Sequence, residues 1–326
     1  MPTPTDNHFR VAIVGAGPAG LGTALGLARR GVHPVVLIDR AGRLGGVPVN
    51  FVRKPGGVPT FVVWTRGRVM FGQQLIQRLV RKLDRTSTVR YLETQVLAVN
   101  RNQRRLTILN PAAGRHEVTA DAIVLACGAR EKSRAERGWI AGARPARVYH
   151  TMHLLNLLDR HECLPMHQPV IIGSDLIALS AAAKLRSAGA DAALTIDQRG
   201  SRRARWPARL YFRRWCNPVW QPVTGPVEIQ GDRAVEGVRI SQGDRAACDG
   251  VVISGELTPN SELVVSAGLK VGMPERVPVA DTSFGLSEPG WFAAGNILGG
   301  VLSGEQCYLN GLAVAKQIAR YLTSGV

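Results

Sequence analysis

The chain has 326 residues, 45% of them hydrophobic, which is enough for two domains with cores of ordinary size. Its formal net charge is +17, but only six of its 41 basic residues are lysine, and the arginines are spread through the chain without a nucleic-acid-binding motif, so nucleic acid is not an expected partner. There is no apolar run long enough to span a bilayer, and the polar start lacks the pattern of a secretory leader, so the sequence predicts a cytoplasmic protein, at most peripheral to the inner face of the membrane.

The first predicted elements are the most informative. "FRVAIVGAGPAGLGTALGLARRG" reads as a strand over Val11–Val14, then Gly15, Gly17 and Gly20 in G-x-G-x-x-G spacing, then a helix. In this pattern the first glycine allows the tight turn, the second lets a pyrophosphate reach the backbone, and the third lets helix and strand pack closely. Pro18 suits the first helical turn, where a missing N–H costs little, and the helix N-terminus favours phosphate charge. A second strand, "PVVLIDR", ends in Asp39, 19 residues after Gly20, where a carboxylate takes ribose hydroxyls. Gly45 and Gly46 follow in "RAGRLGGVPVN", another close backbone approach. Farther on, "DAIVLACGARE" is a buried strand over Ala122–Ala126 that ends in Cys127-Gly128-Ala129.

The middle of the chain repeats the pattern in altered form. "PVIIGSDLIALSAAAKLRSAGA" gives a strand, Gly173 and a helix, and "ADAALTIDQRG" gives the next strand. Asp175 and Ala178 stand at the second and third glycine positions. Asp175 puts a side chain and a negative charge where phosphates would sit, and Ala178 adds a methyl group at the packing position. NAD(P)H binding is therefore expected to be weak or absent. Arg199, Arg202, Arg203 and Arg205 follow the second strand, where they suit the 2′-phosphate of NADP, another phosphate ligand such as ATP, or a solvated basic loop. The stretch Arg199–Trp220 mixes basic and aromatic residues, including Trp206, Tyr211 and Trp215, as a docking segment or a cofactor rim would. Near the end, "EPGWFAAGNILGG" runs into Gly295-Asn296, and a helix is predicted over Ser303–Leu322.

These motifs resemble the two-dinucleotide-domain flavoproteins, the pyridine nucleotide–disulfide oxidoreductase group that includes thioredoxin reductases. The resemblance implies an α/β fold of two Rossmann-like, three-layer domains, the second inserted into the first. The FAD-binding domain would take residues 1–131 and 251–326, and the NAD(P)-binding-like domain residues 132–250. It implies FAD as cofactor, held by Gly15, Gly17, Pro18, Ala19, Gly20, Asp39, Arg40, Gly45, Gly46, Val96, Ala126, Cys127, Gly128, Gly295, Asn296 and Gln306. Two positions depart from the family pattern: Cys127 replaces a threonine, and Asn296 replaces the aspartate that holds the ribityl chain. Asparagine keeps a hydrogen-bonding oxygen but not the charge.

The five cysteines, at 127, 163, 216, 248 and 307, include no C-x-x-C, so an internal redox dithiol is excluded. His150 and His153 stand near the places of the two thioredoxin reductase cysteines. They are candidates for acid–base chemistry, or else ordinary polar residues at a helix start. No third ligand is near them, and no metal is expected.

"GAREKSRAERGWIAGARPARVYHTMHLLNLL" and "ELTPNSELVVSAGLKVG" are similar to a narrower branch: FAD subunits of hydrogen cyanide synthase, opine oxidase and dye-linked proline dehydrogenase type. The branch implies a heteromeric oxidoreductase acting on amino acids, amines or opines. Its partner would be a second flavoprotein subunit, an iron–sulfur subunit, or both. The competing readings are a stand-alone NAD(P)H-dependent flavin reductase and a non-catalytic binding subunit on a flavoprotein fold.

Overall fold

The computed structural model describes residues 7–50, 62–65, 68–138, 143–197, 210, 212–213, 216, 219–223, 227–240 and 244–324. The described chain forms two units, one built from residues 7–49, 62–130 and 257–324, the other from 131–256.

The first unit starts with strand β1 (His8–Val14), helix α1 (Pro18–Ala28) and strand β2 (Val35–Ile38). β1 pairs in parallel with β2 on one side and with the long strand Gly114–Leu125 on the other. Val89–Tyr91 extends the sheet beyond β2, and Trp291–Ala293 pairs with the end of Gly114–Leu125, both in parallel. Strands Gln95–Asn100 and Arg105–Asn110 meander back antiparallel onto the first half of Gly114–Leu125. β2 is buried along its whole length, as is the end of Gly114–Leu125, because both faces of this parallel part of the sheet are covered, one of them by residues such as Val96, Leu106 and Ile108 of the antiparallel strands.

α1 has no polar face: Ala19 through Leu27 are all buried. It lies against the C-terminal helix Gly304–Ser324, and small residues set how close the two come. A Cβ on Gly26 would meet the Cβ of Ala315 at 2.5 Å, and one on Gly311 would meet the backbone nitrogen of Thr23 at 2.8 Å. Leu21 and Leu27 are wholly buried, each stabilising the fold by about 2 kcal/mol. Helix α2 (Gly72–Leu83) is amphipathic instead. Leu75, Ile76, Leu79 and Leu83 face inward, and Arg81 and Lys82 complement the carbonyl end of the helix dipole.

The second unit has a five-stranded parallel sheet in the order Val148–His150, Gly250–Ile253, Pro169–Ile172, Leu194–Asp197, Val219–Pro222. Helices α3 (Thr151–Arg160) and α4 (Leu176–Ser187) are part of it, as is a small antiparallel sheet of Glu228–Gln230, Gly237–Ile240 and Asp244–Ala247. The boundary expected at residue 250 moves to 256. Strand Gly250–Ile253 lies inside this second sheet, paired with Val148–His150 on one side and Pro169–Ile172 on the other, and cannot belong to the first. In the Arg199–Trp220 stretch, Phe212 and Cys216 are buried in the core beside α4, so these two form part of the interior rather than of a docking surface. Trp206, Tyr211, Trp215 and the four arginines from Arg199 to Arg205 lie outside the described residues.

Candidate functional site

In the first unit the glycine loop joins β1 to α1 at the carboxyl edge of the parallel sheet, where open α/β folds bind ligands. Gly15 has φ +108°, a conformation side chains rarely adopt, and its N–H donates to the Ile38 carbonyl at 2.8 Å. The N–H of Ala16 donates to Asp39 Oδ2 at 2.6 Å, and Asp39 Oδ1 accepts from Ala41 N–H at 2.8 Å. The acid at the end of β2 is thus tied to the loop it serves, and Arg40 beside it is exposed.

The surrounding residues close in from three directions. Gly45 N–H donates to the Ala16 carbonyl at 2.8 Å, and a Cβ on Gly46 would come within 2.9 Å of Gly17 Cα. Ala126 N–H donates to the Val14 carbonyl at 2.8 Å, and Cys127 Sγ lies 3.7 Å from the same oxygen. Gly295 approaches Ala19, since a Cβ on it would meet Ala19 Cβ at 2.7 Å. A Cβ on Gly20 would collide with the Gly15 carbonyl, whereas one on Gly17 would meet no protein atom within 4 Å. That contrast is the fit test for a dinucleotide: Gly20 is small for the fold's sake, and Gly17 is small where the fold asks for nothing. The residues present fit FAD.

Several expected contacts have structural duties. Asn296 Oδ1 accepts from Leu302 N–H at 2.8 Å while its Nδ2 donates to the Leu302 carbonyl at 3.2 Å. Only an amide satisfies both groups, which gives a physical reason for asparagine over aspartate here. The oxygen expected to serve the ribityl chain is engaged with backbone. Gln306 Oε1 accepts from Ser303 N–H at 2.8 Å and Ser303 Oγ accepts from Gln306 N–H at 3.3 Å, a capping box for the C-terminal helix. Val96 is buried in the sheet's hydrophobic core.

Two residues that the sequence reading passed over help shape the site. Asn260 donates from Nδ2 to the Cys127 carbonyl at 2.9 Å and from its backbone to the Gly128 carbonyl at 3.0 Å, bracketing the strand end. Asn310 Oδ1 accepts from Gly295 N–H at 2.7 Å. Their only sequence signal is an isolated asparagine, which no spacing rule separates from a surface residue.

All five cysteines are unpaired. Burial pushes the Cys127 thiol up to about 12, with Asp39 and Glu262 adding to the effect, and pushes Cys307 to about 11. Both stay protonated near neutral pH and are poor nucleophiles.

In the second unit His150 occupies the N-cap position of α3 without a side-chain cap, and its Nδ1 is buried with no hydrogen-bond partner. Burial holds its pKa below the usual value, with Arg137 and His153 acting in the same direction, so it is neutral near pH 7. His153 is exposed and meets the Tyr149 ring edge-on at 5.6 Å. Among the described residues no three His, Cys, Asp or Glu side chains converge as metal ligands.

The G-A-R-E motif gains a physical role. Glu131 Oε2 accepts from Met152 N–H at 2.9 Å at the start of α3, and burial raises the pKa of this carboxyl. The side chain of Arg137 is buried and donates to the carbonyls of Lys132 at 3.2 Å and Ser254 at 3.4 Å, and also to that of Gly255.

The degraded glycine loop is resolved in detail. Gly173 has φ +132°, and its N–H donates to the Ile196 carbonyl at 2.8 Å. The Asp175 carboxylate caps α4, accepting from Ile177 N–H and Ala178 N–H at 2.8 Å each, and it also accepts from Ser254 Oγ at 3.1 Å. Burial raises its pKa above the usual carboxylate value. Asp197 closes the next strand and accepts from Ser174 Oγ at 2.5 Å.

Among the described residues no helix is long and apolar enough to cross a membrane. Residues 9–315 match the family described as pyridine nucleotide-disulphide oxidoreductase. The chain is 33% identical over 132 residues to hydrogen cyanide synthase subunit HcnB of Pseudomonas aeruginosa, a match covering 40% of this chain and 27% of that subunit. Among solved structures it is similar to thioredoxin reductase of T. acidophilum, with a TM-score of 0.74 and 20% identity over 98% of this chain and 100% of that one. It is also similar to L-proline dehydrogenase of P. horikoshii, with a TM-score of 0.67 and 22% identity over 94% of this chain. It spans about half of that dehydrogenase chain, 54%, and these two likenesses speak to fold. With the family match running through nearly the whole chain and a glycine loop built for a dinucleotide at its head, the protein belongs to the pyridine nucleotide-disulphide oxidoreductase family and is an FAD-dependent oxidoreductase.

Proposed function

We propose that this chain is the flavoprotein subunit of a multicomponent dehydrogenase or oxidase acting on amino acids, amines or opines, and that it passes electrons through FAD without a protein disulfide. The cradle for FAD is formed by Gly15, Ala16, Gly17, Gly20, Asp39, Gly45, Gly46, Cys127, Gly128 and Gly295, with Asn260 and Asn310 holding it in shape. FAD supplies the reversible acceptance of two electrons. The chain's own residues would hold it, its pyrophosphate at the start of α1, its ribose by Asp39 and the rest beside the Cys127–Gly128 strand end.

The observation that carries the reading is the state of the thiols. Every cysteine stands alone, and four of the five are pushed up to about 11 or 12 by burial, so no dithiol relay takes electrons from the flavin. The second unit's nucleotide loop is occupied by Asp175, so NAD(P)H is a poor donor or none. Electrons must then come from, or leave to, another polypeptide. The likeness to HcnB, which is itself named as a subunit, supports a heteromeric assembly. The partner is a second flavoprotein subunit that oxidises the amine, an iron–sulfur subunit, or both.

The test is anaerobic. The native complex, isolated through this chain, should bleach its flavin on addition of an amino acid, amine or opine, and NADH or NADPH should leave it yellow. Rapid bleaching of the isolated chain by NADH or NADPH, with full turnover as a monomer, would establish a stand-alone flavin reductase instead.

A further inference from the structure

The chain contains two copies of one loop, and the structure lets each be read against the other. In the first unit β1 ends at Val14 and the loop runs Gly15-Ala16-Gly17 into α1; in the second a strand ends at Ile172 and the loop runs Gly173-Ser174-Asp175 into α4. Gly15 and Gly173 both have positive φ, and each donates to the carbonyl of the residue just before the acid on its neighbouring strand, Ile38 before Asp39 or Ile196 before Asp197, at 2.8 Å. The partner strand on the other side also corresponds: Ala126 N–H donates to Val14, and Ser254 N–H to Ile172, both at 2.8 Å. The ribose acid corresponds too, for Asp39 is held by Ala16 N–H and Asp197 by the Ser174 hydroxyl. The spacing from the third glycine position to that acid is the same, Gly20 to Asp39 and Ala178 to Asp197.

Even the backbone at the second glycine position agrees. Gly17 has φ −71° and ψ −177°, and Asp175 has φ −80° and ψ 179°. Both are extended conformations open to any residue. Alanine at the third position is admitted by dinucleotide-binding loops, so Ala178, buried in the core, does not itself disqualify the site. At the phosphate position itself the difference is the side chain of Asp175. The N–H groups of Ile177 and Ala178 belong to the helix turn that receives a phosphate in such loops. In this chain the Asp175 carboxylate takes both, and Ser254, which stands where the first unit has Ala126, holds that carboxylate from the other side.

We propose that Asp175 is the specificity-determining residue of this flavoprotein: its carboxylate stands in for a nucleotide phosphate on a loop whose glycine turn and ribose acid are both in place, and so shuts pyridine nucleotides out of the second unit. The inference rests on the reading of the chain as one that does not draw electrons from NAD(P)H, and adds that the exclusion comes from a single replaceable group. Removing the side chain frees the Ile177 and Ala178 N–H donors and leaves Gly173 and Asp197 in place.

The experiment uses the full FAD-loaded chain with NADH and NADPH as probes, followed by calorimetry and by quenching of nicotinamide fluorescence. Glycine is nearly as good as aspartate at a helix N-cap, so Asp175→Gly is expected to fold and keep its flavin. Asp175→Gly should bind at least one of the two nucleotides about 100-fold more tightly than the wild type, the scale of regaining one or two hydrogen bonds from the helix N–H groups to a charged phosphate. Asp175→Asn keeps a side chain and a capping oxygen and should stay as closed as the wild type. A folded, yellow Asp175→Gly that binds no better than the wild type overturns the proposal while leaving the subunit reading intact. An equal gain in Asp175→Asn also overturns it, since occupation of the helix donors would then not be the block. Tight binding and rapid flavin bleaching by the wild type itself would remove both the proposal and the reading beneath it. Should Asp175→Gly lose FAD, Asp175→Ala carries the same comparison.

Discussion

Gly17→Val separates binding from folding more cleanly than any other change in the flavin cradle. Gly17 sits at the N-cap of α1 with φ −71°, so valine needs no strained backbone, and its Cβ would meet no protein atom within 4 Å. The cost to folding is limited to a poorer N-cap, about 1 kcal/mol. The cost to FAD is larger. The new methyl groups stand where the pyrophosphate must reach the first free N–H groups of α1, and hydrogen bonds to a charged group contribute about 1.5–3 kcal/mol each. Losing two of them amounts to about 3–6 kcal/mol, or about 10²- to 10⁴-fold in Kd. The assay is bound flavin per chain by absorbance, beside a thermal melt and far-UV circular dichroism. The expected result is a folded, colourless protein. Gly20→Val is the contrasting control, because its Cβ collides with the Gly15 carbonyl and the fold itself must give. A folded Gly17→Val chain that keeps its full yellow colour would refute the assignment of FAD to this loop.

The other predictions follow from individual contacts. Cys127→Ser and Cys307→Ser should each leave flavin-mediated electron transfer within about tenfold, a barrier change of about 1.4 kcal/mol; a loss of several orders of magnitude in stopped-flow traces, with FAD still bound, would put a thiol back into the mechanism. Asn296→Asp sets a carboxylate oxygen against the Leu302 carbonyl, and should destabilise the flavin-free chain by about 1–2 kcal/mol. That is about 2–5 °C in Tm, and an unchanged melt would mean the amide pair with Leu302 is not what selects asparagine. Glu131 is raised by burial, so the folded state holds its proton more tightly than the unfolded state. Its contribution to stability is full below pH about 4.5 and is lost as pH rises through the folded value. Glu131→Gln should therefore gain stability relative to the wild type between pH about 4.5 and neutrality; denaturant titrations giving parallel curves for the two proteins would contradict this.

The sequence by itself determined the features that depend on local chain geometry. G-x-G-x-x-G between a strand and a helix, with Asp39 after the next strand, can be read without a third dimension, because turn, close approach and helix dipole are all set within some 25 residues. The same local logic marked Asp175 as foreign to a nucleotide loop, and placed His150 and His153 at a helix start. Tertiary structure decided what those side chains meet. Nothing along the chain says that Ser254 reaches Asp175, that Asn260 holds Cys127, or that Leu302 consumes the amide of Asn296, since these partners are brought together by sheet order and loop packing. The boundary of the second unit was hidden for the same reason. Gly250–Ile253 is a short apolar run that would suit either sheet, and only its pairing with Val148–His150 and Pro169–Ile172 assigns it to one. Local pattern fixes which backbone conformations are affordable; which polar groups satisfy one another is settled by contacts distant in sequence, as with Asp175 and Ser254.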